Sequence, residues 1–138
     1  MLDRLCTFVH NLVWKVDMTK RINWVGSSLK DLKAMPNTIQ KKVGFALHLV
    51  ETGRRPENAK TLAGFGNAKV NEIKENDRSG TYRAAYTVEL KNRIFVLHVF
   101  QKKSSKGIET SRKDIDLIKK RLKEAEASLL LEKEELLL

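Results

Sequence analysis

Apolar positions along the chain recur with two different periods, and the change of period marks out its elements. Residues 22–25 (INWV) are β-branched and aromatic and predict a strand. Ser27 and Ser28 offer an N-cap for a short helix with Leu29 and Leu32 on one side. Ile39, Val43, Ala46, Leu47 and Val50 then follow at helical spacing, with Lys41 and Lys42 on the opposite face. Pro36 suits the first turn of that helix and Gly53 its stop. Residues 54–68 (RRPENAKTLAGFGNA) carry Gly, Asn and Pro and predict a loop. Beyond it, residues 69–75, 81–89 and 93–101 predict three strands. Turns at 76–80 and at Lys91-Asn92 join them into an antiparallel meander. Segment 110–127 returns to helical spacing through Ile115, Ile118, Leu122 and Ala125, with Thr110 or Ser111 as cap and Asp114 near the N3 position. The order is β-α-α-β-β-β-α, an α+β domain with helices on one side of a small antiparallel sheet.

Both ends differ from this body. A second start-like methionine, Met18, stands just before the first strand. Residues 1–17 therefore read either as an upstream extension from a misassigned start or as an extra helix burying Leu5, Val9 and Val13. The body, 18–127, is one domain. Residues 128–138 form an acidic, leucine-rich tail whose leucines are not restricted to one helical face, suited to extending the last helix and touching a partner.

At 138 residues, 41% hydrophobic and 32% charged, the chain suits one globular domain rather than a disordered segment. Its net charge of +10 points to an anionic partner. That charge is uneven. Residues 18–123 hold 24 basic and 10 acidic groups, residues 1–17 are neutral, and 124–138 carry net −4. One cysteine, Cys6, excludes an internal disulfide, and with His10, His48 and His98 it makes no zinc-type spacing. Apolar runs fall far short of the roughly 18 residues a bilayer span needs. Residues 5–14 resemble a signal core only faintly, because Asp3 precedes them, His10 and Asn11 interrupt them and no small-residue cleavage site follows. A cytoplasmic protein without a membrane partner is expected.

The chemistry concentrates at 81–106 (TYRAAYTVELKNRIFVLHVFQKKSSK). Strand alternation places Tyr82, Ala84, Tyr86 and Val88 on one face and Arg83, Ala85 and Thr87 on the other. Arg83, flanked by alanines in a middle strand, must reach an edge, pair with a carboxylate or await an anion. In the next strand Val96, His98 and Phe100 share a face, and Phe95, Leu97 and Val99 share the other, so His98 interrupts an apolar run. A lone histidine there is more often structural than catalytic, although Arg83 and the lysines beyond the strand favour function. Lys102, Lys103, Ser104, Ser105, Lys106 and Gly107 can surround a phosphate, or can simply form a solvated surface. Lys60 and Glu72 are further candidates. Glu72-Ile73-Lys74 lacks the acidic partner of a metal-dependent nuclease pattern. Phosphate-loop, dinucleotide-binding and nucleophile-elbow motifs are absent. These residue types suffice for RNA cleavage without a cofactor or metal. The 2′-hydroxyl is the nucleophile, Glu72 or His98 exchanges protons, and Arg83, Lys102 and Lys103 stabilise the phosphorane.

The segments WVGSSLKDLKAMP, AKTLAGFG, TYRAAYTV and VLHVFQKKSSKGIETSRKDIDLIKKRL resemble the phage-derived HigB-like branch of the RelE/ParE toxin superfamily over residues 20 to 125. The resemblance implies a RelE-like fold, an antiparallel sheet packed by an N-terminal helical hairpin and a C-terminal helix. It also implies a type II toxin that inhibits translation by cutting mRNA on the ribosome, with a cognate antitoxin, expected to be of helix-turn-helix type, as partner. The arginine of the family's YR-x-x-Y strand falls on Arg83, and the basic residue past the last strand falls on Lys102 or Lys103. Lys60, Leu62 and Gly64 approximate the Lys-x-Leu-x-Gly loop of relatives. On this reading Lys60, Lys69, Lys106, Arg112 and Lys113 hold further RNA phosphates. A tyrosine that RelE-type toxins often carry near the C-terminal part of the site is missing from 104–138, and His98 is its substitute or the base differs. Non-nuclease, ParE-like gyrase inhibition and an inactive nucleic-acid-binding prophage remnant remain as alternatives. Arg83→Ala is expected to relieve growth arrest while leaving the fold intact.

Overall fold

The computed structural model describes residues 21–90, 93–102 and 110–137. β1 (Arg21–Trp24) leads into α1 (Ser28–Lys33) and α2 (Asn37–Glu51). Next come β2 (Ala59–Thr61), β3 (Val70–Asp77), β4 (Gly80–Leu90) and β5 (Arg93–Gln101), and then α3 (Arg112–Leu137). The expectations for residues 1–17, Met18, the Lys91-Asn92 turn, and Lys103 to Gly107 lie outside the described residues.

The fold is α+β, with one five-stranded sheet in the order β1-β5-β4-β3-β2. β2 to β5 are antiparallel neighbours, whereas β1 runs parallel to β5, from Arg21 opposite Arg93 to Trp24 opposite Val96. The sheet is therefore mixed rather than purely antiparallel. A parallel neighbour needs a long crossover, and everything from α1 to β4 supplies it. Within the segment expected to be loop, β2 adds a strand. Its three residues carry no readable alternation, and only pairing with β3 defines it.

Helices cover both faces of the sheet, which corrects the expected one-sided arrangement. On one face Leu32 of α1 and Ile39, Val43, Ala46, Leu47 and Val50 of α2 join Ile73, Tyr82, Ala84, Tyr86, Ile94, Val96 and Val99. On the other, Ile118, Leu122, Ala125 and Leu129 of α3 join Val70, Ala85, Phe95, Leu97 and Phe100. Ile94 to Phe100 are all buried. A strand apolar on both sides requires cover on both sides.

A bulge in β5 resets its alternation. Ala85 lies opposite His98, yet Tyr86 lies opposite Val96, so Leu97 is one residue in excess. The extra residue inverts the faces beyond it. Phe95, Leu97 and Phe100 consequently face α3 while Val96 and Val99 face the hairpin, in place of the strict alternation expected from sequence. His98 joins the α3 side, stacking its ring on Phe100 with centroids 4.4 Å apart.

Helix ends follow local chemistry. Pro36 occupies the N-cap of α2, one residue before the first turn assigned to it from sequence. After α2, Gly53 takes φ 87°, which lets its N–H donate to Val50 and that of Arg54 to Leu49. α3 runs on through residue 128, so the acidic tail is helical to Leu137. There Arg93 donates to both carboxylate oxygens of Glu132 at 2.7 and 2.8 Å. Leu130 and Leu131 remain exposed. Among the described residues, no helix is long and apolar enough to cross a membrane.

Candidate functional site

The register of β2 to β5 brings the sequence-predicted residues into two adjacent rows on the α3 side of the sheet. Lys60, Glu72, Ala85 and His98 lie opposite one another in turn. Lys74, Arg83 and Phe100 form the next row. Arg83 and Glu72 are diagonal neighbours, close enough for long side chains to meet. Arg83 Nη1 donates to Glu72 Oε1 at 2.5 Å, and Thr110 Oγ1 donates to Glu72 Oε2 at 2.5 Å. Each charged residue is only 1% exposed. Ala85 contributes to this burial, since a methyl group leaves the guanidinium room to lie along the sheet. Both Glu72 oxygens are thus committed, and the carboxylate works as a clamp on Arg83.

Lys102 stands just past β5, its backbone N–H donating to Thr81 at 2.8 Å. Its ammonium group is held below 10.5 by desolvation and then by the charges of Arg83, Lys74 and Lys60, with Glu72 opposing. Lys102 thus follows a sheet face on which β2, β3 and β4 set Lys60, Lys74 and Arg83 on neighbouring strands, and their charges bear on its ammonium group. Such a field favours an anion.

His98 is fixed from α3. Its Nε2 lies 2.8 Å from Asp114 Oδ1, and Ser111 Oγ donates to Asp114 Oδ2 at 2.7 Å. Ser111 also caps α3, its Oγ accepting the Asp114 N–H at 3.2 Å. Burial pushes the imidazole below 6.5; Asp114 resists through its hydrogen bond and charge, and Arg121 adds to the lowering. A neutral ring facing a carboxylate carries its proton on Nε2. Nδ1 then keeps the lone pair, and that atom is buried without a hydrogen-bond partner among the described residues.

A cavity of about 820 Å³ opens beside these groups. His98, Lys102, Lys113 and Asp114 line it from β5 and α3, and Asp31, Met35 and Pro36 line it from the helical hairpin. Arg121 fixes the far wall. It donates to the bulge carbonyl of Leu97 at 3.0 Å and to Ser27 Oγ at 3.1 Å, and Ser27 Oγ donates to Asp31 Oδ2 at 2.8 Å. Gly26, at φ 58°, passes beneath that guanidinium: a Cβ there would lie 2.7 Å from Arg121 Nε.

The strand register thus groups Arg83, Glu72, Lys60 and His98 on one face, with Lys102 just past its last strand; of these only His98 and Lys102 line the cavity, where Lys113 joins them. Lys69 is exposed just before β3, its carbonyl accepting the Thr87 hydroxyl, and Arg112 is exposed on the first turn of α3. Neither contributes to the cavity lining. Lys103 and Lys106 lie outside the described residues. Sequence reasoning missed Asp114, Thr110, Lys74 and Arg121 as parts of the site. Asp114 and Thr110 were visible only as capping residues, and nothing local links them to strands far back in the chain. Among the described residues, no three His, Cys, Asp or Glu side chains converge as a metal site would require.

Residues 30–123, which contain every one of these groups except Ser27 and Gly26, match the family model described as Phage derived protein Gp49-like (DUF891). No curated protein matches the chain.

Proposed function

For a chain that belongs to the phage-derived Gp49-like family, we propose a role as the toxin of a type II toxin–antitoxin system that cuts mRNA on the ribosome. The Gp49-like family is associated with RelE/HigB-like toxins, which accords with the HigB-like segments of the sequence. The single observation that carries the reading is the strand register that sets Lys60, Lys74 and Arg83 on one sheet face, with Lys102 just past its last strand at a cavity that His98 and Asp114 also line.

In the proposed step the 2′-oxygen of a bound nucleotide attacks its own phosphorus and the bond to the 5′-oxygen breaks. A 2′,3′-cyclic phosphate and a 5′-hydroxyl result, with no water consumed, the proton that leaves the 2′-oxygen being matched by one that the departing 5′-oxygen takes up from solvent. Lys102 neutralises the phosphorane, and Arg83 supplies a fixed positive charge behind it. His98, poised neutral, takes the 2′-proton at Nδ1 once the substrate displaces the packing over that atom. Asp114 holds the opposite nitrogen and stabilises the resulting imidazolium. Glu72 keeps Arg83 aligned rather than moving protons. An antitoxin of helix-turn-helix type is the proposed inhibitor, its acidic surface covering these cations.

Macromolecular labelling after induction tests the reading. An immediate fall in protein synthesis with fragmented mRNA is expected. DNA damage with intact mRNA would instead assign the chain to gyrase inhibition, and no growth arrest at all would mark an inactive remnant.

A further inference from the structure

The second tyrosine of TYRAAY takes no part in the site above. Tyr86 packs on the hairpin side of the sheet, opposite to Arg83, and is 2% exposed. It lines a separate cavity of about 240 Å³ together with Asn71, Arg54 and Arg55, and Val50 and Val88 complete the apolar wall.

The polar side chains at this cavity, Arg54, Arg55, Asn71 and Tyr86, all carry hydrogen-bond donors. Thr61 Oγ1 donates to Asn71 Oδ1 at 2.8 Å, and Asn71 lies directly opposite Tyr86 across the strands, so its amide N–H is the side-chain group left to face the cavity. The Tyr86 phenol lines the same cavity and has an O–H to give. Arg55 Nη2 reaches only neutral acceptors, Ala59 O at 3.3 Å and Thr61 Oγ1 at 3.4 Å. Burial raises the phenol above 10.0, and the charge of Arg55, which lines the same cavity, opposes that rise. Among the described residues, no carboxylate lines the cavity. Cations after a helix C-terminus also complement the helix dipole, but that role needs neither the buried phenol nor the cavity.

The geometry points to a second anion site here, in which a phosphate group is held by Arg54, Arg55 and the Tyr86 hydroxyl, on the sheet face away from Lys102. The shared chemistry is a tetrahedral oxyanion meeting two guanidiniums and one hydroxyl. Its source is either a nucleic-acid backbone or free phosphate. This site is independent of catalysis, since its residues lie across the sheet from His98 and Lys102.

The test follows the Tyr86 ring resonances of the full chain by NMR, identified through Tyr86→Phe. Inorganic phosphate, a short 2′-O-methyl RNA and its uncharged methylphosphonate counterpart are each titrated. A saturable Tyr86 shift is expected with a charged ligand and none with the methylphosphonate. A shift with RNA assigns the site to backbone phosphate, and a shift with phosphate alone assigns it to the free ion. Arg54→Ala, whose side chain is exposed, and Arg54→Ala/Arg55→Ala should weaken the midpoint about tenfold or more. Tyr82, which lines the larger cavity, reports the first site separately. No saturable shift at Tyr86 with phosphate or RNA, an equal shift with the methylphosphonate, or an unchanged midpoint in the folded arginine variants would overturn the assignment.

Discussion

His98 Nε2 and Asp114 Oδ1, 2.8 Å apart, tie the last strand of the sheet to the first turn of α3. The tie crosses from the bulged part of β5 to a helix whose cap, Ser111, bonds the same carboxylate. A titratable ring therefore joins two layers of the fold, at the edge of the cavity proposed to take RNA.

Stability should reflect that ring's protonation. Burial holds the folded-state pKa of His98 below 6.5, so as pH falls the unfolded chain takes up this proton before the folded one. The His98 contribution is present above about pH 6.5 and is lost as pH falls towards the folded value. Urea midpoints measured across this window should decline on the acid side, and His98→Gln should flatten the decline. An unchanged slope in the variant would contradict the burial argument.

Arg83→Ala should not leave the fold intact, contrary to the sequence-based expectation. The substitution strands the Glu72 carboxylate, 1% exposed, without its guanidinium. Removing one partner of a buried ion pair costs about 3–5 kcal/mol. Arg83→Met combined with Glu72→Leu should recover most of that loss, as read by denaturant unfolding. Loss of toxicity in Arg83→Ala alone is thus a stability result until the double variant is compared.

Backbone strain at two glycines separates conformation from contact. Gly26 (φ 58°) and Gly53 (φ 87°) both occupy the left-handed region. A Cβ at Gly53 meets nothing within 4 Å, so Gly53→Ala should cost about 1–2 kcal/mol for conformation alone. Gly26→Ala adds a clash with Arg121 and disturbs its bonds to Leu97 and Ser27. Thermal unfolding should rank it as clearly the more damaging of the two.

The contrast between what could and could not be read from sequence has a physical basis. α2 was legible because Ile39, Val43, Ala46, Leu47 and Val50 keep helical period, and all five are buried. The Arg83 face of β4 was legible because its alternation is unbroken where Tyr82, Ala84 and Tyr86 pack together. The β5 faces were not, since one extra residue at Leu97 inverts a period of two without any local signal. The partners of Glu72 and His98 were equally hidden. Thr110 is 38 residues from Glu72, and Asp114 is 16 from His98, and only the docking of α3 brings them together.

Lys102 should carry phosphate affinity without carrying stability. It is partly exposed and lies outside the strands. Lys102→Gln should leave the unfolding midpoint unchanged and lower the salt dependence of RNA binding by about 0.7 in log–log slope, the value for one phosphate contact on a single strand. Binding isotherms at several salt concentrations check this.

The most direct measurement maps RNA ends after the full chain acts on ribosomes translating a defined mRNA, with Lys102→Gln of matched thermal stability beside it. Fragments ending in 2′,3′-cyclic phosphate are expected with the native chain, and their loss with the variant. Intact mRNA with the native chain, or equal cleavage by the variant, would contradict the proposed cleavage.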